Sequence, residues 1–174
     1  RALGVIDAPW EHAGAPLAVT TRDMARLAAT LVDALGVTRL ALVAGGSLGG
    51  MVTLEHCATF PEGSRAAISF AAPASPTAWG AAWNHIHRTA IEAAPRSGLA
   101  LARMVGMLTY RTPGEVERRF RPSTADSHPV RDYLDHHGEK LVRRFATKSY
   151  LTLLASMDAH NVARGRGSVA RALA

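Results

Sequence analysis

A chain of 174 residues with 48% hydrophobic and 20% charged side chains is long enough to bury a sizeable core. It contains no apolar run near the ~18 residues of a membrane span, and its first ten residues lack the basic start and long apolar stretch of a signal peptide. The net charge of +6 is scattered: Arg118, Arg119 and Arg121, joined by Arg143 and Arg144, are interleaved with acids and show no aromatic–basic alternation, which argues against a nucleic-acid partner.

In chain order, residues 1–19 are rich in Pro, Gly and Ala and read as loop. Thr20-Thr21-Arg22-Asp23 has the form of a capping box, and a helix follows with Met24, Leu27, Ala28, Leu31, Val32 and Leu35 on one apolar stripe, ended by Gly36. A buried strand is expected over 39–44, then the glycine-rich turn Gly45-Gly46-Ser47-Leu48-Gly49, then a helix over 49–60 stopped by Pro61. A second buried strand is expected over 66–71. This alternation predicts an α/β fold with a parallel sheet. Beyond Pro73 the pattern turns helical, at about 77–93, 98–110, 113–120, 129–145 and 147–160, punctuated by prolines, and an arginine-rich helical stretch occupies 164–174. The expected organisation is a partial core over 1–73, a helical lid over 74–160, and a return towards the core over 161–174. Neither end reads as finished. Cys57 is a lone cysteine, so no internal disulfide can form, and a reducing, cytoplasmic setting fits; its expected role is core packing.

The turn at 45–49 carries the chemistry. G-x-S-x-G between a strand and a helix is a nucleophile elbow: the turn lifts the Ser47 hydroxyl above the sheet, and small residues at Gly45 and Gly49 let strand and helix cross. The backbone N–H of Leu48, at the positive end of the helix, would hold an oxyanion formed by attack of Ser47. Against this stands a plain glycine-rich turn with an incidental serine; the flanking strand and helix patterns favour the nucleophile. Serine needs a base and the base an orienting carboxylate. Downstream, Asp126, Asp132, Asp135 and Asp158, with His128, His136, His137 and His160, all fall in the helical block, and Asp135-His136-His137 reads as a solvated helix surface. His56 points away from the serine. The triad Asp and His are therefore expected beyond Ala174. Neither His85-x-His87 nor His136-His137 has the spacing of a metal site, so no metal is expected.

Beyond the elbow, several strings are similar to one family. Thr20-Thr-Arg-Asp-Met24, Gly45-Gly-Ser-Leu-Gly-Gly-Met51, Trp83-Asn-His-Ile-His-Arg88, Gly98-Leu-Ala-Leu-Ala-Arg103-Met104, Thr109-Tyr110-Arg111, Lys148-Ser-Tyr-Leu151 and Asp158 with Arg164-Gly165 resemble, in order and spacing, the homoserine O-acetyltransferase family of α/β-hydrolase-fold acyltransferases. The resemblance implies an α/β-hydrolase fold with an inserted helical lid. It implies a ping-pong transfer of acetyl from acetyl-CoA to the hydroxyl of L-homoserine, through an acyl-enzyme on Ser47, in methionine biosynthesis. Leu48, with a second N–H from an earlier loop, would form the oxyanion hole, and Arg103 and Tyr110 would face the substrate tunnel. Acetyl-CoA would be a cosubstrate, with no bound cofactor, no nucleic acid and no membrane; a homodimer through the lid is implied for the full-length protein. Read from the residues, Arg103 in an apolar helical run needs an anion, either a substrate carboxylate or a structural Asp or Glu; Tyr110 is a tunnel hydroxyl or a packing residue. Leu48 stands where the family usually has Met, and the segment between Arg88 and Gly98 is shorter than in typical members. Succinylating or serine-acylating relatives, an esterase and an inactive interaction module remain as alternatives, and the chain by itself is expected to be inactive.

Overall fold

The computed structural model describes residues 18–122, 124 and 128–174, and the backbone of 11, 12, 15 and 16. Most of the loop expected over 1–19 lies outside them, as does Asp126. Within that stretch Glu11–His12 (β1) and Ala15–Pro16 (β2) pair antiparallel, a short hairpin where loop was expected; two residues a side give no alternation to read. The chain divides into two compact units, one holding Glu11–Ala81 with Thr152–Ala174 and the other Ala82–Leu151.

In the first unit, the capping box opens α1 (Thr21–Ala34) as expected. Asp23 N–H donates to the Thr20 hydroxyl at 3.1 Å, and Thr20 N–H donates to the Asp23 carboxylate at 3.0 Å. The Thr20 hydroxyl also donates to that carboxylate, which holds the Asp23 carboxyl below its usual range. The apolar stripe of α1 is not buried. Thr21 and Ala25 are buried as α1 packs on α2 (Leu48–Thr59), while Leu27, Leu31 and Leu35 are 61–72% exposed. Periodicity located an apolar face correctly, but nothing among the described residues covers it.

The first sheet strand, β3 (Val43–Gly46), runs further towards the serine than the expected 39–44, with only an isolated bridge, Leu40 to Ser64, in the earlier part. Its parallel partner is β4 (Ala67–Phe70), in register from Val43 opposite Ala67 to Gly46 opposite Phe70. Pairing thus carries both elbow glycines into the strand, because backbone hydrogen bonds there need no side chain. The strands were expected to be buried; instead Leu42, Ile68 and Phe70 are exposed, since nothing among the described residues covers these side chains on the two-stranded sheet.

Glu55, on α2 and 2% exposed, ties the unit together. It accepts from Arg22 Nε at 3.0 Å and from Arg166 Nη1 at 2.9 Å, and Arg166 also donates to Thr59 Oγ1. The turns after α7 are thereby fastened to α1 and α2. The helix expected over 164–174 reduces to α8 (Val169–Ala172), because Gly165 and Gly167 take φ of 75° and 85°, outside the helical region. Cys57 is half-buried, and burial pushes its thiol up, as befits a packing residue.

The other unit is helical: α4 (Pro95–Thr109), α5 (Pro113–Arg119) and α6 (Pro129–Val142) lie in it, with the larger part of α3 (Ala78–Ala93) and the start of α7 (Thr147–Asp158). Each of α4, α5 and α6 opens on a proline, which needs no N–H partner there. Ile91, Leu99, Ala102 and Leu141 form the core, flanked by Val142, Phe145, Tyr150 and Leu151. No described helix is long and apolar enough to cross a membrane.

Candidate active site

Ser47 sits between β3 and α2 with φ 54° and ψ −124°, a left-handed backbone that costs a non-glycine residue roughly 1–3 kcal/mol. It is held there at both sides: Ser47 N–H donates to the Phe70 carbonyl at 3.0 Å, and its own carbonyl accepts from Met51 N–H at 3.0 Å. Although Ser47 occupies the N-cap position of α2, its side chain does not cap the helix. The hydroxyl is exposed and makes no hydrogen bond among the described residues. Leu48 and the next N–H groups precede the first closed turn of α2, so they are open to an acceptor. The Ser47 hydroxyl thus stands uncommitted on a strained backbone beside a helix N-terminus and does not act as a cap.

The glycines divide differently from the expectation. A methyl group on Gly45 would overlap the Gly49 carbonyl and approach Thr53 Oγ1 to 2.8 Å, and one on Gly50 would lie 2.6 Å from Ala72 Cβ. A methyl on Gly49 would meet nothing within 4 Å. Gly45 and Gly50 therefore set the close crossing of strand and helix, and Gly49 does not. Gly45→Ala should destabilise the protein by at least ~1–3 kcal/mol and displace Ser47. Gly49→Ala should leave the melting temperature unchanged or raise it, since alanine favours the helix. Similar melting curves for the two variants would contradict this assignment.

No described histidine or acid hydrogen-bonds the Ser47 hydroxyl. His56 is buried beside Phe60, with ring centroids 5.4 Å apart, and burial lowers its pKa. His160 is 2% exposed and its Nδ1 is bonded to Thr21 Oγ1 at 2.8 Å. Asp132, Asp135, His136 and His137 are on α6, where His137 packs against Tyr133; His128 precedes that helix and Asp158 ends α7. No group of three or more His, Cys, Asp or Glu suited to a metal occurs among the described residues.

The helical unit brings Arg103 and Tyr110 together. Both lie on α4 or its C-terminal cap, and the Arg103 guanidinium stands 6.0 Å from the Tyr110 ring centroid. Arg103 is half-buried, and no described carboxylate forms an ion pair with it. Tyr110 is 67% exposed, so it is not a packing residue of this unit. Arg111 donates to the Met107 carbonyl at 2.8 Å and closes the end of α4 beneath Tyr110.

Sequence comparison then bears on which chemistry this is. The chain is 43% identical over 175 residues to the homoserine O-acetyltransferase of Thermus thermophilus, covering 93% of this chain and 45% of that protein. It is 41% identical over 165 residues to that of Trichormus variabilis, covering 86% and 46%. The chain is a homologue of the homoserine O-acetyltransferases. The crystal structure of homoserine O-acetyltransferase from Staphylococcus aureus superposes with a TM-score of 0.81 at 35% identity, over 95% of this chain and 49% of that one. An esterase, E22, shares the fold at 21% identity with a TM-score of 0.74, over 91% of this chain and 51% of that one. No protein-family model matches. The fold is thus that of the α/β-hydrolases, which homoserine O-acetyltransferases and esterases both use, and the chain spans about half the length of the curated relatives it matches.

Two residues with no role assigned from the sequence stand out beside Arg103 and Tyr110. His87 is buried on α3, and its Nδ1 lies 3.2 Å from the Tyr150 hydroxyl. Both fall in strings that carried the family resemblance in the sequence, but only packing shows that they meet.

Proposed function

We propose that the whole protein transfers an acetyl group from acetyl-CoA to the hydroxyl of L-homoserine, through an acetyl-enzyme on Ser47, as a step in methionine biosynthesis. The observation that carries this is the strained, uncommitted Ser47 hydroxyl in a homologue of the homoserine O-acetyltransferases. Ser47 Oγ attacks the thioester carbonyl, the C–O bond forms, and the C–S bond breaks to release CoA. The homoserine hydroxyl then attacks the ester, O-acetylhomoserine leaves, and Ser47 recovers its proton. The Leu48 N–H stabilises the oxyanion in both steps. Arg103, with no carboxylate partner among the described residues, binds the carboxylate of the amino acid, and Tyr110 contacts the same substrate. The general base and its Asp come from sequence beyond Ala174, so the 174-residue chain alone is inactive. We further propose a cytoplasmic homodimer for the whole protein, with no bound cofactor.

A second reading, hydrolysis of an acetyl ester, draws on the fold shared with esterase E22. Acetyl-CoA with and without L-homoserine separates the two. Transfer gives O-acetylhomoserine and CoA release that depends on homoserine; CoA release at the same rate without homoserine would replace transfer by hydrolysis. Succinyl-CoA and L-serine, run in parallel, should be the poorer donor and acceptor.

A further inference from the structure

His87 is 8% exposed, and its Nε2 is buried with no hydrogen-bond partner among the described residues. The other ring nitrogen, Nδ1, is bonded to the Tyr150 hydroxyl. Burial, above all, pushes the Tyr150 phenol up to about 12, and burial lowers the His87 pKa, so the pair is a neutral phenol and a neutral imidazole. If Nδ1 carried the proton, both the Tyr150 O–H and Nε2 would be left without partners. With Tyr150 donating to Nδ1, a single group is unsatisfied, the Nε2–H of His87.

The His87 ring approaches Gly106 on α4. A methyl group placed on Gly106 would sit 4.0 Å from His87 Cε1, the carbon between the two ring nitrogens, and 3.6 Å from the Tyr110 hydroxyl. Gly106 is three residues along α4 from Arg103, so the two share a helix face. The hydroxyl of Tyr110 and the imidazole of His87 thus meet over Gly106, where no side chain stands between them, and the Arg103 guanidinium lies against the Tyr110 ring with no described carboxylate in an ion pair with it. A guanidinium without a described carboxylate and an unpaired N–H, joined by a hydroxyl that can donate, call for a small anion.

We propose that His87 is a substrate-binding residue, donating from Nε2 to the carboxylate of the acceptor amino acid alongside Arg103, with Tyr150 fixing its tautomer. This rests on the acetyl-transfer reading above. Removing a hydrogen bond to a charged group should cost roughly ten- to hundredfold in acceptor binding.

The test uses the whole protein with acetyl-CoA and two acceptors, L-homoserine and 3-aminopropan-1-ol, which keeps the hydroxyl and amine but lacks the carboxylate. His87→Leu should raise the KM for homoserine by about tenfold or more. It should leave the rate of CoA release in the first half-reaction and the use of 3-aminopropan-1-ol unchanged. His87→Gln, which can place a donor near Nε2, should recover most of the loss. Should His87→Leu fail to fold, Tyr150→Phe keeps the ring and should raise the same KM several-fold. A homoserine KM within about twofold of wild type in the folded variants would overturn the proposal, as would an equal loss with the carboxylate-free alcohol. A wild-type protein that forms no O-acetylhomoserine would instead overturn the acetyl-transfer reading, and this inference with it.

Discussion

Ser47→Ala in the whole protein is expected to lower the rate of acetyl transfer by about 10⁴-fold or more, with the fold intact. The side chain makes no hydrogen bond among the described residues, so its removal leaves no buried group unsatisfied. Ser47→Gly gives the sharper contrast. At φ 54° a side chain is strained and glycine is not, so this variant should be as inactive and yet more stable, by up to ~1 kcal/mol. Activity would be lost as stability is gained, the signature of a residue held in place for chemistry. A glycine variant that unfolds more easily than wild type would show that the backbone here is not strained.

Glu55→Gln should have the largest effect on stability. The carboxylate is 2% exposed and takes hydrogen bonds from two arginines that are themselves mostly covered. Removing its charge leaves Arg22 and Arg166 facing a neutral amide, and breaking such a buried pair typically costs about 3–5 kcal/mol. Urea denaturation of the two proteins measures this directly. A difference below about 1 kcal/mol would place the network with surface ion pairs of little worth. The consequence should be local first: Arg166 also holds Thr59 and the Val162 carbonyl, so the turns after α7 should become susceptible to protease.

These two residues differ in how legible they were. Ser47 could be read because an elbow is a local device: strand, glycines, serine and helix are contiguous, and backbone geometry follows from adjacent residues. The capping box at Thr20 and the proline-opened starts of α5 and α6 were readable for the same reason, whereas α4 opens on Pro95, three residues before the expected start. Glu55 could not be read, because its partners are 33 and 111 residues away in sequence and nothing local marks them. His87 and Tyr150 are 63 residues apart and were equally hidden. Burial was the other weak point. The stripe Leu27, Leu31, Leu35 and the strand residues Ile68 and Phe70 have the periodicity of covered faces, yet they are exposed, because periodicity shows which residues share a face and not what packs against it. At the elbow, G-x-S-x-G pointed to Gly45 and Gly49, whereas the crossing depends on Gly45 and Gly50; which glycine meets a neighbour depends on how the helix sits over Ala72, after β4. Arg103 and Tyr110, seven residues apart on one helix and its cap, were legible as a pair only through the family strings.

Acetyl transfer by this route passes through an acetyl group carried on Ser47. Mixing the whole protein with acetyl-CoA in the absence of an acceptor, then quenching and digesting it, locates that group by mass spectrometry. One acetyl group is expected on the peptide containing Ser47, at that residue, lost on addition of L-homoserine as O-acetylhomoserine forms. Acetylation at Cys57 instead, or turnover to O-acetylhomoserine in the Ser47→Ala protein, would contradict it.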